Sequence, residues 1–248
     1  MKYFKLFIAL FSALALCLTL ASCNSKPTLP DDVEASSTEG GDDLGQEYID
    51  SFIFFGESTT YHLKSRGVLS GGTDTKQVWG TKSGTLNLDT AIATTRIIYP
   101  DTNEEIKLSE ALTKKAPENI LLSFGLNGAV QKINKGEEYF KECYKLLIDM
   151  IRRCSPDTNI LIQSAFPVAA NMDMSGYSID VATLNKYIDT INFWSKELAA
   201  EYGIKYLDTA APLKNENGFL RDEYQVGDGY HLTSEAYEKI LMYIRTHG

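Results

Sequence analysis

Short apolar runs alternate with longer amphipathic segments along the chain from residue 52 onward. Four runs are too short for a helix face and predict buried strands, at residues 52–55, 119–125, 159–164 and 204–207. Helices are predicted at 60–66, 109–115, 136–153, 180–202 and 233–246, and a further strand, suited to a hairpin, at 94–99. Residues 77–86 give no clear strand. Regular alternation of strand and helix predicts a parallel sheet with helices on both faces.

Polar residues follow two of these strands at their carboxyl ends, where open α/β sheets bind ligands. Gly56, Glu57 and Ser58 come after the first strand, and Asn127 comes after the second in a predicted polar loop. Glycine permits a sharp turn, and a helix starting at the next residues would present Ser58 to a substrate. The alternative is that Ser58 only caps the helix.

A third polar segment lies just before the last predicted helix, where Asp228 and His231 stand three residues apart. This spacing lets a carboxylate in a tight turn bond the imidazole, fix its tautomer and stabilise its protonated form. An imidazole held in this way can take the proton from a serine hydroxyl, which is a weak nucleophile by itself. A solvated or helix-capping His231 is the alternative. His62 would lie one helical turn from Ser58, and we expect it to be a substrate-side or surface residue.

The first 22 residues have the pattern of a secretory signal, because two lysines precede an apolar run at 6–20 that is too short to span a bilayer comfortably. Leu20-Ala21-Ser22-Cys23 resembles the lipobox of bacterial lipoproteins, which implies cleavage before Cys23 and a lipid on its thiol. Ordinary secretory cleavage is the alternative. The following polar residues predict a flexible tether. The expected organisation is a signal peptide at 1–22, a tether at 23–46 and one domain at 47–248, lipid-anchored and extracytoplasmic on the bacterial cell membrane.

The formal net charge of −9 and the lack of a basic cluster argue against nucleic acid as a partner, because its phosphates need Lys and Arg. Membrane attachment should therefore come from the lipid and not from charge. No Cys and His residues stand at metal-ligand spacing, so neither a metal nor another cofactor is expected. Cys143 and Cys154 fall on one predicted helix, too far apart for a disulfide, and are expected to be small buried residues. The sequence predicts no particular oligomeric state.

Three motifs resemble the sequence blocks of the SGNH hydrolases, also called GDSL-type esterases and acylhydrolases. Gly56-Glu57-Ser58 is similar to the first block, Gly-Asp-Ser, and Gly125-Leu126-Asn127 to the third, Gly-x-Asn. Asp228-Gly229-Tyr230-His231 is similar to the fifth, Asp-x-x-His. The likeness covers nearly all of the chain from residue 50 onward. It implies a flavodoxin-like, three-layer α/β/α sandwich with a mostly parallel central sheet.

The resemblance also implies a role for each matching residue. Ser58 would be the nucleophile, His231 the general base and acid, and Asp228 its orienting partner. The oxyanion hole would comprise the backbone N–H of Ser58, the side-chain amide of Asn127 and the N–H of a second-block glycine. That glycine is taken as Gly84, because Ser83-Gly84-Thr85 resembles the family's Ser-Gly-x-Thr segment, and Gly80 is the alternative.

The function implied by this resemblance is a serine esterase that hydrolyses small acyl esters, acetyl above all, on a carbohydrate or cell-wall glycan. The glycan follows from the expected location and from analogy. An acyltransferase with a sugar acceptor is one alternative. A noncatalytic glycan-binding lipoprotein on the same fold is another, because two residues depart from the family pattern: Glu57 replaces an Asp, and Gly128 replaces the Asp that often follows the third-block Asn.

Overall fold

The computed structural model of the protein describes residues 40–131 and 133–248. Its strands are Phe52–Gly56 (β1), Val78–Trp79 (β2), Arg96–Ile98 (β3), Glu105–Lys107 (β4), Asn119–Ser123 (β5), Asn159–Gln163 (β6) and Lys205–Leu207 (β7). Its α-helices are Gly45–Asp50 (α1), Ser58–Ser65 (α2), Leu108–Lys115 (α3), Leu126–Gln131 (α4), Gly136–Cys154 (α5), Val181–Tyr202 (α6) and Ser234–His247 (α7). The predicted signal peptide, Cys23 and most of the predicted tether lie outside the described residues.

The central sheet is parallel and has the strand order β2-β1-β5-β6-β7. Phe54 of β1 pairs with Val78 on one side and with Leu121 on the other. The strand predicted at 94–99 is confirmed as β3, which forms a separate antiparallel hairpin with β4. The predicted fold class, a mostly parallel sheet flanked by helices, is therefore confirmed.

Alternate residues of β1 face two different layers of the core. Phe52 and Phe54 pack in a cluster that includes residues of α1, α2 and α7. Ile53 and Phe55 pack in a second cluster with residues of α3, α5 and α6. A strand buried on both faces needs apolar residues at every position, which is why the run at 52–55 lacks polar alternation.

The predicted polar loop at 126–128 is wrong, because these residues form the first turn of α4. Glycine has a low helix propensity, but packing against α6 outweighs it here. A Cβ added at Gly128 would lie 3.4 Å from Cδ1 of Ile191 and 3.7 Å from the ring of Phe140, so this position points toward apolar side chains. Gly128 thus faces the core, which accounts for one departure from the family pattern.

The folded part begins earlier than residue 47. The N–H of Gly41 donates to the carbonyl of Thr246 at 2.6 Å, and the N–H of Leu44 donates to the carbonyl of Arg245 at 3.0 Å. Asp43 adds an ion pair with Arg245 at 3.1 Å. The last residues assigned to the tether therefore pack on the C-terminal turn of α7.

Of the two cysteines of α5, Cys143 is buried as expected, whereas Cys154 at the helix end is only partly buried. Among the residues that the structure describes, no helix combines the length and the apolar character needed to cross a bilayer.

Candidate active site

The first and third motifs meet at the carboxyl edge of the sheet because their strands are neighbours. Gly56 at the end of β1 pairs with Ser123 at the end of β5. Ser58 is the first residue of α2, and Asn127 is the second residue of α4. The structure therefore brings the predicted nucleophile and the predicted oxyanion donor to the same edge.

Glycines make these two turns possible. A Cβ at Gly56 would clash with the carbonyl oxygen of Ser123 and with Oγ1 of Thr60. Gly125 has a φ of +152°, and a Cβ there would lie 2.8 Å from Cβ of Ala165. No larger residue fits either position without movement of the backbone.

The side chain of Glu57 connects the turn after β1 with the turn after β5. This side chain is almost fully buried, with 3% exposure. One carboxylate oxygen accepts the N–H of Gly125 and the other accepts the N–H of Asn127, both at 3.1 Å. Glutamate is one methylene longer than the Asp of the family pattern. Its carboxylate can therefore reach the segment after β5, where it binds the backbone N–H of Asn127.

Asp228 orients His231 as the motif predicts. Its Oδ2 lies 2.7 Å from Nδ1 of the imidazole, and its Oδ1 accepts the N–H groups of Tyr230 and His231 at 3.1 and 2.9 Å. Burial alone would raise the pKa of Asp228, but the backbone hydrogen bonds and the imidazole outweigh it, so the pKa lies below its ordinary value. Asp228 is therefore held as a carboxylate, and the bond at Nδ1 leaves Nε2 of His231 available for proton transfer.

Three contacts join residues 228–237, the His231 segment, to α2 and to Arg66 at its end. Nε of Arg66 donates to the carbonyl of Leu232 at 3.2 Å. The buried hydroxyl of Tyr237 donates to the carbonyl of Thr59 at 2.5 Å. The ring centroids of His62 and His231 lie 4.4 Å apart. The segment that carries the second and third predicted triad members thus packs against the helix that carries the first.

The structure gives little support to Gly84 as the second-block glycine of the oxyanion hole. The N–H of Gly84 donates to the carbonyl of Thr81 within a turn, at 3.0 Å. Gly80 directly follows β2, at the same sheet edge as Ser58, and bridges to Ile98. The side chain of Tyr61 lies over both glycines, 3.2 Å from a Cβ added at Gly84 and 3.5 Å from one at Gly80.

A buried polar network under the site was missed by sequence reasoning. Nε2 of Gln163 donates to the hydroxyl of Ser123 at 2.8 Å, and its Oε1 accepts the hydroxyl of Thr209 at 3.3 Å. Ser123 also accepts the N–H of Glu57 on its carbonyl, at 3.1 Å. The network therefore supports the turn before Ser58. The available signal was the polar last residue of two apolar strands, Ser123 of β5 and Gln163 of β6.

The described residues contain no group of three His, Cys, Asp or Glu side chains able to hold a metal ion. The sheet edge carries the hydroxyl of Ser58 and the amide of Asn127, and the acid-oriented imidazole of His231 packs against α2. A hydroxyl, an imidazole and an amide are the groups that acyl transfer through a serine uses.

The family model described as GDSL-like Lipase/Acylhydrolase matches residues 54–239, which include all three motifs. No curated protein matches the chain. Three solved structures cover 79% of this chain each. They are an extracellular lipase from Streptomyces rimosus, a provisionally assigned SGNH hydrolase from Slackia heliotrinireducens and a provisionally assigned platelet activating factor from Streptococcus pneumonia.

The Streptomyces rimosus structure is 13% identical, is covered over 99% of its length and has a TM-score of 0.53. The corresponding values are 15%, 98% and 0.51 for the Slackia heliotrinireducens structure. They are 19%, 82% and 0.52 for the Streptococcus pneumonia structure. At such low identities these likenesses establish the fold, whereas the family rests on the match of the family model.

Proposed function

Because the chain belongs to the GDSL-like lipase/acylhydrolase family and is a hydrolytic enzyme of the SGNH type, we propose that it is a serine esterase with Ser58, His231 and Asp228 as its triad. The observation that carries this assignment is the 2.7 Å bond between Asp228 and His231, in a segment packed against the helix that starts at Ser58. We further propose that its substrates are small acyl esters, acetyl above all, of a carbohydrate or cell-wall glycan.

In the first half of the reaction, Oγ of Ser58 attacks the ester carbonyl and Nε2 of His231 takes its proton. The carbonyl oxygen becomes an oxyanion, and its collapse expels the alcohol, which leaves with the proton from His231. Water then attacks the acyl-enzyme with His231 as base, and the acid is released. Asp228 remains ionised throughout and stabilises the imidazolium in both halves.

The oxyanion is stabilised by the N–H of Ser58 and the side-chain amide of Asn127. Nδ2 of Asn127 donates to the carbonyl of Leu86 at 3.3 Å, which leaves its second hydrogen for the substrate. For the third donor Gly80 is the better candidate, because the amide of Gly84 is already engaged with Thr81. Replacement of Asn127 by Ala should lower kcat by about 10²–10³-fold, as for the loss of one oxyanion donor elsewhere.

The choice of substrate depends on location. A lipid on Cys23 would hold the enzyme outside the cytoplasm, where the esters within reach are those of surface polysaccharide and peptidoglycan.

The test is hydrolysis of p-nitrophenyl esters from acetyl to long acyl chains by the wild type, Ser58→Ala and Ser65→Ala. Ser65 is an exposed serine on the same helix and serves as the matched control. We expect hydrolysis of the acetyl ester by the wild type and Ser65→Ala, its loss in Ser58→Ala, and labelling by a fluorophosphonate probe that follows the same pattern. Equal activity in Ser58→Ala would overturn the triad, and preference for long chains would overturn the small acyl group.

The same acyl-enzyme could pass its acyl group to a sugar in place of water. Product analysis with and without a carbohydrate acceptor distinguishes these outcomes, because a transferase yields acylated sugar while a hydrolase yields free acid under both conditions.

A further inference from the structure

His62 contacts the candidate base although it belongs to none of the three motifs. It lies one turn after Ser58 on α2 and is half-buried. Its ring centroid is 4.4 Å from that of His231, and the two planes are inclined at 49°. Its Nδ1 is buried and has no hydrogen-bond partner among the described residues.

His62 lies on a different element of the fold from the other residues that contact the side chain of His231. Asp228 binds Nδ1, and the ring of Tyr230 lies with its centroid 4.0 Å from that of His231. Both of those residues belong to the same loop as His231, so they move with it. His62 belongs to α2 and therefore relates the imidazole to the helix that carries Ser58.

The charge of His62 also bears on the reaction, since His231 becomes an imidazolium in each half of it. The ionisable groups that act on His62 are His231 and Asp228 from the loop before α7 and Arg66, which directly follows α2. Burial lowers the pKa of His62, the positive charges of His231 and Arg66 lower it further, and Asp228 opposes them. A neutral ring allows His231 to accept a proton, whereas a second imidazolium at this distance would oppose it.

We propose that His62 is a positioning residue that holds the ring of His231 against α2, the helix that carries Ser58, and that a neutral ring at this position permits His231 to carry the proton. This proposal rests on the proposed function, since it concerns the same acyl transfer. His62 itself takes no part in bond making.

The test uses three substitutions of His62 in the full chain, with Ser65→Ala as the control on the same helix. His62→Phe keeps a neutral ring and should retain kcat for p-nitrophenyl acetate to within about threefold, while His62→Ala, which loses the ring, should lower kcat by about tenfold with KM changed less than about twofold. His62→Lys places a permanent charge beside His231. It should lower kcat more than His62→Ala and shift the acid limb of the kcat/KM profile to lower pH.

A readout independent of activity is the NMR titration of His231 in Ser58→Ala protein. The His231 ring should titrate at lower pH when His62→Lys is added, and His62→Phe should lack that shift. Equal losses of kcat in His62→Phe and His62→Ala, or a His231 titration that is the same with His62→Lys as with His62→Phe, would overturn the proposal. If the wild type is active and depends on Ser58 while the His62 variants match Ser65→Ala, only this inference fails. If the wild type neither hydrolyses the esters nor reacts with the fluorophosphonate, the proposed function fails.

Discussion

Glu57 is the residue that most clearly separates this site from the family pattern. A carboxylate one methylene longer than Asp reaches two backbone N–H groups beyond the neighbouring strand. Hydrogen bonds of this kind, with a charged acceptor in a buried setting, are stronger than those between neutral groups. The departure from Gly-Asp-Ser therefore serves to place Asn127 and gives no support to a noncatalytic protein.

Replacement of Glu57 by Gln tests this role. The amide can accept at only one of its two ends, so one N–H, of Gly125 or of Asn127, loses its partner, and the free energy of unfolding should fall by about 1–3 kcal/mol. Because Asn127 is held less firmly, kcat should fall as well. Urea unfolding and ester hydrolysis measure the two effects. The exposed Glu47→Gln should change neither, and an unaltered stability in Glu57→Gln would contradict the role of the carboxylate.

Asp228 should make stability depend on pH in the acidic range. Its pKa is lower in the folded protein than in the unfolded chain, so its stabilising contribution is fully present above the unfolded value, about pH 4, and is lost as the pH falls through the folded value. Asp228→Asn lacks this contribution, so its unfolding free energy should fall less than that of the wild type between pH 6 and pH 3. Chemical unfolding at both pH values measures it. Asp222→Asn, at an exposed position, should follow the wild type, and parallel behaviour of Asp228→Asn would refute the effect.

At the scale of elements, the junction between β5 and α4 depends on one glycine. Gly125→Ala would combine a strained φ with contacts of 2.8 Å to Ala165 and 2.9 Å to Ile191. We expect it to destabilise the protein by about 1–3 kcal/mol and to lower kcat, since any shift of this junction moves Asn127. Thermal unfolding and kinetics measure the two effects. Gly176→Ala is the matched control, because a Cβ there meets no atom within 4 Å and its backbone is not strained.

The elements that the sequence predicted best are those whose own residues determine them. Strand β1 is apolar at every position because both faces are buried, and α6 is bounded by Asp180, which caps its first turn, and by Gly203 with a φ of +62°. The two-residue strand β2 exists through its pairing with β1, so no pattern in its own sequence could predict it. Helix α4 likewise depends on packing against α6 and not on propensity.

The same distinction applies to the candidate site. Asp228 and His231 lie three residues apart, so local geometry could predict their bond. The reach of Glu57 to Asn127 and the contact of His62 with His231 join segments that are distant along the chain. Such contacts depend on how the elements pack, and a single sequence does not show that.

At the scale of the whole molecule, the proposed lipid on Cys23 would determine where the enzyme acts. When the protein is expressed in a bacterial host with its own leader, Cys23→Ser should fail to incorporate labelled palmitate and should accumulate in its precursor form. Cys17→Ser alters a cysteine within the predicted leader and should be labelled and processed as the wild type is. Palmitate incorporation in Cys23→Ser would rule out the anchor.

The packing of residues 41–44 on the last turn of α7 also has a consequence for orientation. The His231 segment leads into the first turn of α7. This helix has fourteen residues and is about 21 Å long. Residues 41–44 therefore pack at one end of α7, and the loop that carries Asp228 and His231 lies at the other. With the proposed lipid on Cys23, the tether would join the domain at the end far from the candidate site, which would leave that site open to polymers around the cell.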